Sequence, residues 1–95
     1  MTKLRVRQEA IFDIKVARAW FESKSPGLGK RFVEEVRHYL IYIRQNPSHY
    51  QIKNADYREA VLKVFPYVII YTTSQQETVV FAVFPTAKSP HHKPR

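Results

Sequence analysis

Residues 57–71 read Tyr57-Arg58-Glu59-Ala60-Val61-Leu62-Lys63-Val64-Phe65-Pro66-Tyr67-Val68-Ile69-Ile70-Tyr71, two runs rich in Val, Ile and Tyr with one proline between them. Proline has no N–H to give to a sheet ladder, so the simplest arrangement is two strands that meet at Phe65-Pro66. Alternation along the first run places Arg58, Ala60, Leu62 and Val64 on one face and Glu59, Val61, Lys63 and Phe65 on the other. Along the second run Tyr67, Ile69 and Tyr71 share a face.

Downstream, Ser74-Gln75-Gln76-Glu77 separates the second run from a third apolar stretch, so strands are expected over residues 58–64, 67–73 and 78–84. Connections this short make the three strands antiparallel neighbours. Upstream, Leu4 and Val6 alternate with Lys3, Arg5 and Arg7, the period of a strand with one buried face. From Gln8 the period lengthens. Ile11, Ile14, Ala17 and Phe21 recur at three or four residues, with Ala10, Val16 and Trp20 widening the stripe, as expected of a helix lying on a core.

Ser25-Pro26-Gly27 ends that helix. A second begins near Leu28, with Leu28, Phe32, Val36, Leu40 and Ile43 on its inner face and Val33, Tyr39 and Ile41 beside them, and it stops at Asn46-Pro47. Two helices of similar length across a tight link form an antiparallel hairpin. Tyr50 and Ile52 suggest a short extended piece before the strands. The fold expected is a two-layer α+β domain of order β-α-α-β-β-β, with the helical hairpin on one face of a small, mostly antiparallel sheet. Residues 1–84 form this domain, and residues 85–95, with three prolines and no apolar period, are expected to be a basic tail.

Ninety-five residues suffice for one modest core, and 44% apolar content argues for a folded chain. The absence of cysteine excludes a disulfide framework, a thiolate metal site and a thiol nucleophile. The longest apolar runs are far too short to span a bilayer and the start carries no signal-peptide core, so a soluble cytoplasmic protein is expected. No cofactor or metal is expected. The formal charge is +8, and residues 1–7 and 85–95 each contribute three unopposed cations, a distribution suited to nucleic acid or an acidic protein segment.

Several fragments occur in an order that resembles the small toxins of the RelE/ParE superfamily. They are Trp20-Phe21-Glu22, Gly27-Leu28-Gly29-Lys30-Arg31-Phe32, Ile43 to Asn46-Pro47, Arg58, Phe65-Pro66-Tyr67 with Tyr71, and Phe81-Ala82-Val83. The resemblance covers nearly the whole chain. It implies the growth-inhibiting toxin of a type II toxin–antitoxin system, of the kind that stabilises plasmids, held inactive by an antitoxin whose partly disordered acidic segment orders on binding.

Within that superfamily the ribonuclease branch cuts messenger RNA on the ribosome with clustered Arg and Lys and a late Tyr or His. Such groups must take the 2′-hydroxyl proton, neutralise the phosphorane and protonate the leaving oxygen. Here Val68 follows Tyr67 where that branch commonly has arginine, Pro85 and Ala87 stand where polar residues are expected, and no tyrosine follows Tyr71. The chain is therefore closer to the ParE type, which binds and inhibits DNA gyrase without catalysis. The alternative is a ribosome-dependent endoribonuclease using Arg58, Lys63 and Lys88 with His91 or His92 from the tail. A third is a degenerate, non-toxic basic binding module.

Candidate target- or partner-binding residues are Arg58, Tyr67, Tyr71, Lys88, Lys93 and Arg95. Arg58 could equally pair with Asp56, Glu59 or a backbone carbonyl, and Tyr67 and Tyr71 could be a half-buried packing surface. His91 and His92 diverge from each other on a proline-flanked segment and have no carboxylate beside them, which suits neither proton transfer nor a metal. Gly27 is expected to serve the turn and Gly29 a close helix approach, with Arg31–Glu35 and Glu34–His38 as surface pairs. The antitoxin segment is expected along the helical hairpin and the open sheet edge.

Overall fold

The computed structural model describes residues 3–88. Strand β1 (Lys3–Val6) leads into helix α1 (Gln8–Lys24), then α2 (Leu28–Gln45), β2 (Ile52–Asn54), β3 (Tyr57–Val61), β4 (Tyr67–Thr73) and β5 (Glu77–Pro85), followed by a 3₁₀ turn at Thr86–Lys88. The five strands form one sheet of order β1-β5-β4-β3-β2, antiparallel except where β1 runs parallel to β5. That parallel pair is possible because the helical hairpin supplies the long crossover it needs. His91, His92, Lys93 and Arg95 lie outside the described residues.

Both helices lie on one face of the sheet, as the stripes predict. Phe21 of α1 and Phe32 of α2 meet Phe65 and Tyr67 in a ring cluster with centroids 4.8 to 5.6 Å apart. Ala10, Ala17, Val36, Ile43, Ala60, Leu62, Ile69, Tyr71, Val80 and Val83 complete the core. The hairpin link is built as the glycines suggest. Gly27 has φ of +86°, and a Cβ on Gly29 would lie 2.6 Å from the Arg18 carbonyl oxygen, so α1 and α2 touch at that point. The Glu22 carboxylate accepts the Gly27 and Gly29 N–H groups at 2.9 and 3.0 Å, and these bonds hold it below the usual carboxylate range.

Two expectations need correction. Strand β3 ends at Val61 rather than Val64, and beyond Leu62 the alternation breaks: Val64 is 67% exposed while Phe65 is buried with the core. The cause is Glu35. From α2 its carboxylate takes the Val64 and Phe65 N–H groups at 2.8 and 3.1 Å, where a longer strand would offer them to the ladder. Tyr67 N–H then closes a three-residue turn onto the Phe65 carbonyl across Pro66. Glu35 thus binds backbone 30 residues away, a role its spacing from Arg31 did not announce.

The second correction concerns α1. Ile11, Val16 and Trp20, read as parts of its buried stripe, are 41%, 52% and 54% exposed. The inner face consists instead of Ala10, Ala17 and Phe21 with Ile14 packed beside them. On α2 the deviation is smaller, with Ile41 exposed and Phe32, Val36 and Ile43 buried as the periodicity requires.

Candidate functional site

Phe12, Val16 and Trp20 follow one another at intervals of four residues, so they form a ridge along the outer side of α1. Phe12 is 67% exposed. Beside this ridge runs a groove of about 490 Å³ lined by Val16, Ala17, Trp20, Phe21, Pro66, Tyr67 and Pro85. Its far wall is the proline turn. Glu35 fixes that turn from α2, and Thr86 N–H donates to the Pro66 carbonyl at 3.0 Å, which ties the end of β5 to it. The Trp20 indole stands edge-on to Phe21 and carries the Lys24 ammonium 4.9 Å above its face, so the groove is apolar with a cation at its rim.

Among the described candidate residues Tyr67 lines the groove, with its ring against Phe21 and Phe32 and its phenol pushed up by burial. Tyr71, on the same face, is fully buried. Its hydroxyl donates to the Pro47 carbonyl at 2.9 Å, and burial pushes it up to about 12. Arg58 stands opposite Tyr71 in the β3–β4 pair and donates to the Ser48 and Tyr50 carbonyls, the backbone partnership foreseen as one alternative. Arg58 and Tyr71 therefore pin the loop after α2.

Lys63 is exposed and lies past the far end of β3, on the proline-turn side, and Lys88 belongs to the 3₁₀ turn beside that same turn. Arg58 near the start of β3 and Lys63 two residues beyond its end are thus held apart along the chain's extended run. A phosphate-cleaving cluster would need its cations and proton carriers around one phosphorus. Among the described residues no group of three or more His, Cys, Asp or Glu converges as a metal site, and no helix is long and apolar enough to cross a membrane.

The ridge on α1 is the feature the sequence reading missed. Its signal was present, since Phe12-Val16-Trp20 is a second helical stripe offset from Ala10-Ala17-Phe21.

The fold and sequence can be set against known proteins. Comparison of the sequence with curated proteins finds no match. A chain from the chromosomal ParDE TA system of P. aeruginosa superposes with a TM-score of 0.80 over 90% of this chain and 96% of that one, at 13% identity, a likeness of fold. The family model for the ParE toxin of the type II parDE toxin–antitoxin system matches residues 4–90. With the match running from β1 through the 3₁₀ turn, the chain belongs to the ParE toxin family.

Proposed function

We propose that this toxin acts by binding, with DNA gyrase as its target, and that its antitoxin neutralises it by laying an amphipathic segment into the α1 groove. The observation that carries the reading is the exposed apolar ridge Phe12-Val16-Trp20 beside a groove walled by Pro66, Tyr67 and Pro85. Contiguous exposed apolar surface of this kind marks an interaction site, and a helix laid into it would bury side chains spaced three and four apart. The net charge of +8 and Lys24 at the rim favour an acidic segment.

Family membership supports gyrase as the target, because ParE-type toxins inhibit that enzyme. The separation of Arg58 from Lys63, and the use of Arg58 to hold loop carbonyls, supports an inhibitor over a nuclease. Induction of the toxin, with plasmid supercoiling, DNA breaks and messenger RNA ends followed together, tests this. Relaxed plasmid or trapped DNA breaks with intact RNA are expected. Unchanged DNA topology with new codon-linked RNA ends would overturn the gyrase reading.

A further inference from the structure

The groove lies between α1 and a far wall made by the proline turn and the end of β5. Two carboxylates that do not line it fix that wall against the helices. The Glu35 carboxylate of α2 accepts the Val64 and Phe65 N–H groups at 2.8 and 3.1 Å. Behind these bonds Leu62 N–H donates to the Tyr67 carbonyl at 2.9 Å and Tyr67 N–H to the Phe65 carbonyl at 2.7 Å, so the placing of Pro66 and Tyr67 follows from where Glu35 holds the chain. Asp13 of α1 accepts the Val83 N–H at 3.0 Å, two residues before Pro85. Asp13 stands about one helical turn before Val16 and Ala17, so this bond sets how far that side of α1 stands from the end of β5.

Both carboxylates use donors that the sheet leaves over. Strand β1 pairs with β5 only from Glu77 to Val80, so beyond Val80 that edge of β5 has no strand beside it among the described residues. The Val83 N–H points out along this edge, and the next residue turned the same way, Pro85, has no N–H to offer. The β3–β4 ladder likewise ends with Val61 opposite Val68, which leaves Val64 and Phe65 past its last pair. Asp13 and Glu35 take donors that would otherwise bind water or a foreign strand, and they do so from the two helices of the hairpin.

We propose that Asp13 and Glu35 are positioning residues of the antitoxin groove, which set the place of its far wall and so the affinity of the segment docked there without touching that segment. The inference rests on the reading of the α1 groove as the antitoxin site. A wall fixed beforehand lowers the ordering cost of docking, whereas a wall with unheld donors has to be ordered each time a partner arrives. The two carboxylates differ in one chemical respect. Asp13 uses a single oxygen, Oδ2, which the carbonyl oxygen of an asparagine can replace. Glu35 uses both, Oε2 for Val64 and Oε1 for Phe65, so a glutamine keeps one bond and turns an NH₂ group against the other N–H.

The test is isothermal titration calorimetry of the full chain with its cognate antitoxin, with far-UV circular dichroism confirming that each variant is folded. Asp13→Ala and Glu35→Ala are each expected to weaken binding about tenfold, while Glu34→Ala, at the exposed neighbouring position on α2, changes it less than about twofold. Asp13→Asn is expected to recover most of the loss and Glu35→Gln little of it. Hydrogen exchange of the free toxin, followed by NMR, should find the Val64 and Phe65 amides protected in the wild type and open in Glu35→Ala. A purely structural role would lower the urea midpoint and leave the affinity of the folded toxin unchanged. Wild-type affinity in either alanine variant, equal recovery by Asp13→Asn and Glu35→Gln, or Val64 and Phe65 amides that exchange as fast in the wild type as in Glu35→Ala would each overturn the proposal. Trp20→Glu separates this failure from that of the groove reading. If it binds as tightly as the wild type, the groove is not the antitoxin site and the proposal falls with it. If it weakens binding while the two alanine variants do not, only the positioning role falls.

Discussion

The two helices of the hairpin are nearly equal in length and pack on the same sheet, yet they use their apolar residues differently. Helix α2 places most of them on one side, with Gly29, Phe32, Val36 and Ile43 buried and Ile41 and Tyr42 the exposed exceptions, and charged residues such as Lys30, Arg31, Glu34 and Arg37 face water. Helix α1 buries mainly small residues, Ala10 and Ala17, with Phe21 as its one large anchor, and turns Ile11, Phe12, Val16 and Trp20 outward. A helix that is apolar on two sides is suited to being covered on both. In α1 the sheet and α2 cover one side, and the ridge of Phe12, Val16 and Trp20 stays exposed, which is the basis of the proposed antitoxin contact.

This contrast can be broken by substitution. The largest effect is expected for Phe32→Ala on α2, a fully buried ring whose loss costs about 3–5 kcal/mol in chemical denaturation, while Phe12→Ala on α1 stays within about 0.5 kcal/mol. A comparable loss at Phe12 would mean that the ridge is part of the core after all. Next, Trp20→Glu should weaken antitoxin binding by about 30-fold or more, as expected for a buried aromatic anchor, whereas Ile41→Glu on the outer side of α2 should change it less than about threefold. Isothermal titration calorimetry on the two variants reads this difference, and equal losses would erase the distinction between the helices.

A third effect, confined to alkaline pH, concerns the far end of α2, which Tyr71 anchors through Pro47. Its phenol rises from 10.0 in the unfolded chain to about 12 in the fold, so between those values the unfolded chain loses a proton that the folded one retains. Stability is therefore intact below pH 10 and falls as pH rises toward 12, by on the order of 2–3 kcal/mol. Tyr71→Phe should be less stable at neutral pH but should show a shallower alkaline fall. Urea midpoints at neutral pH and midway through that window measure it. An alkaline slope unchanged by Tyr71→Phe would place the titration elsewhere.

Much of this architecture was legible before the structure. Helix α2 was readable because its single stripe has only one way to face a core, and β4 was found with its observed bounds between Pro66 and Ser74. The α1 stripe was misassigned at Val16 and Trp20 for a physical reason: apolar spacing reports that a side will be covered and does not say whether this chain or another covers it. The end of β3 was hidden for a different reason. Val64 reads as strand by composition, and only the approach of Glu35 across the fold removes its N–H from the ladder. At the site, the shared face of Tyr67 and Tyr71 followed from alternation. Their unequal burial did not, because it depends on the loop after α2, which closes over Tyr71 through Pro47 and Tyr50 and leaves Tyr67 at the groove.

Trp20 is the chain's only tryptophan, and it stands in the groove wall at 54% exposure, so its emission reports directly on whether the α1 ridge is the surface that a partner covers. Titration of the toxin with its cognate antitoxin, using an antitoxin variant free of tryptophan, is the most direct test. A blue-shifted Trp20 emission with loss of quenching by iodide and acrylamide, saturating with complex formation, is the predicted result. A complex that forms while Trp20 keeps its emission maximum and its full accessibility to both quenchers would contradict the account.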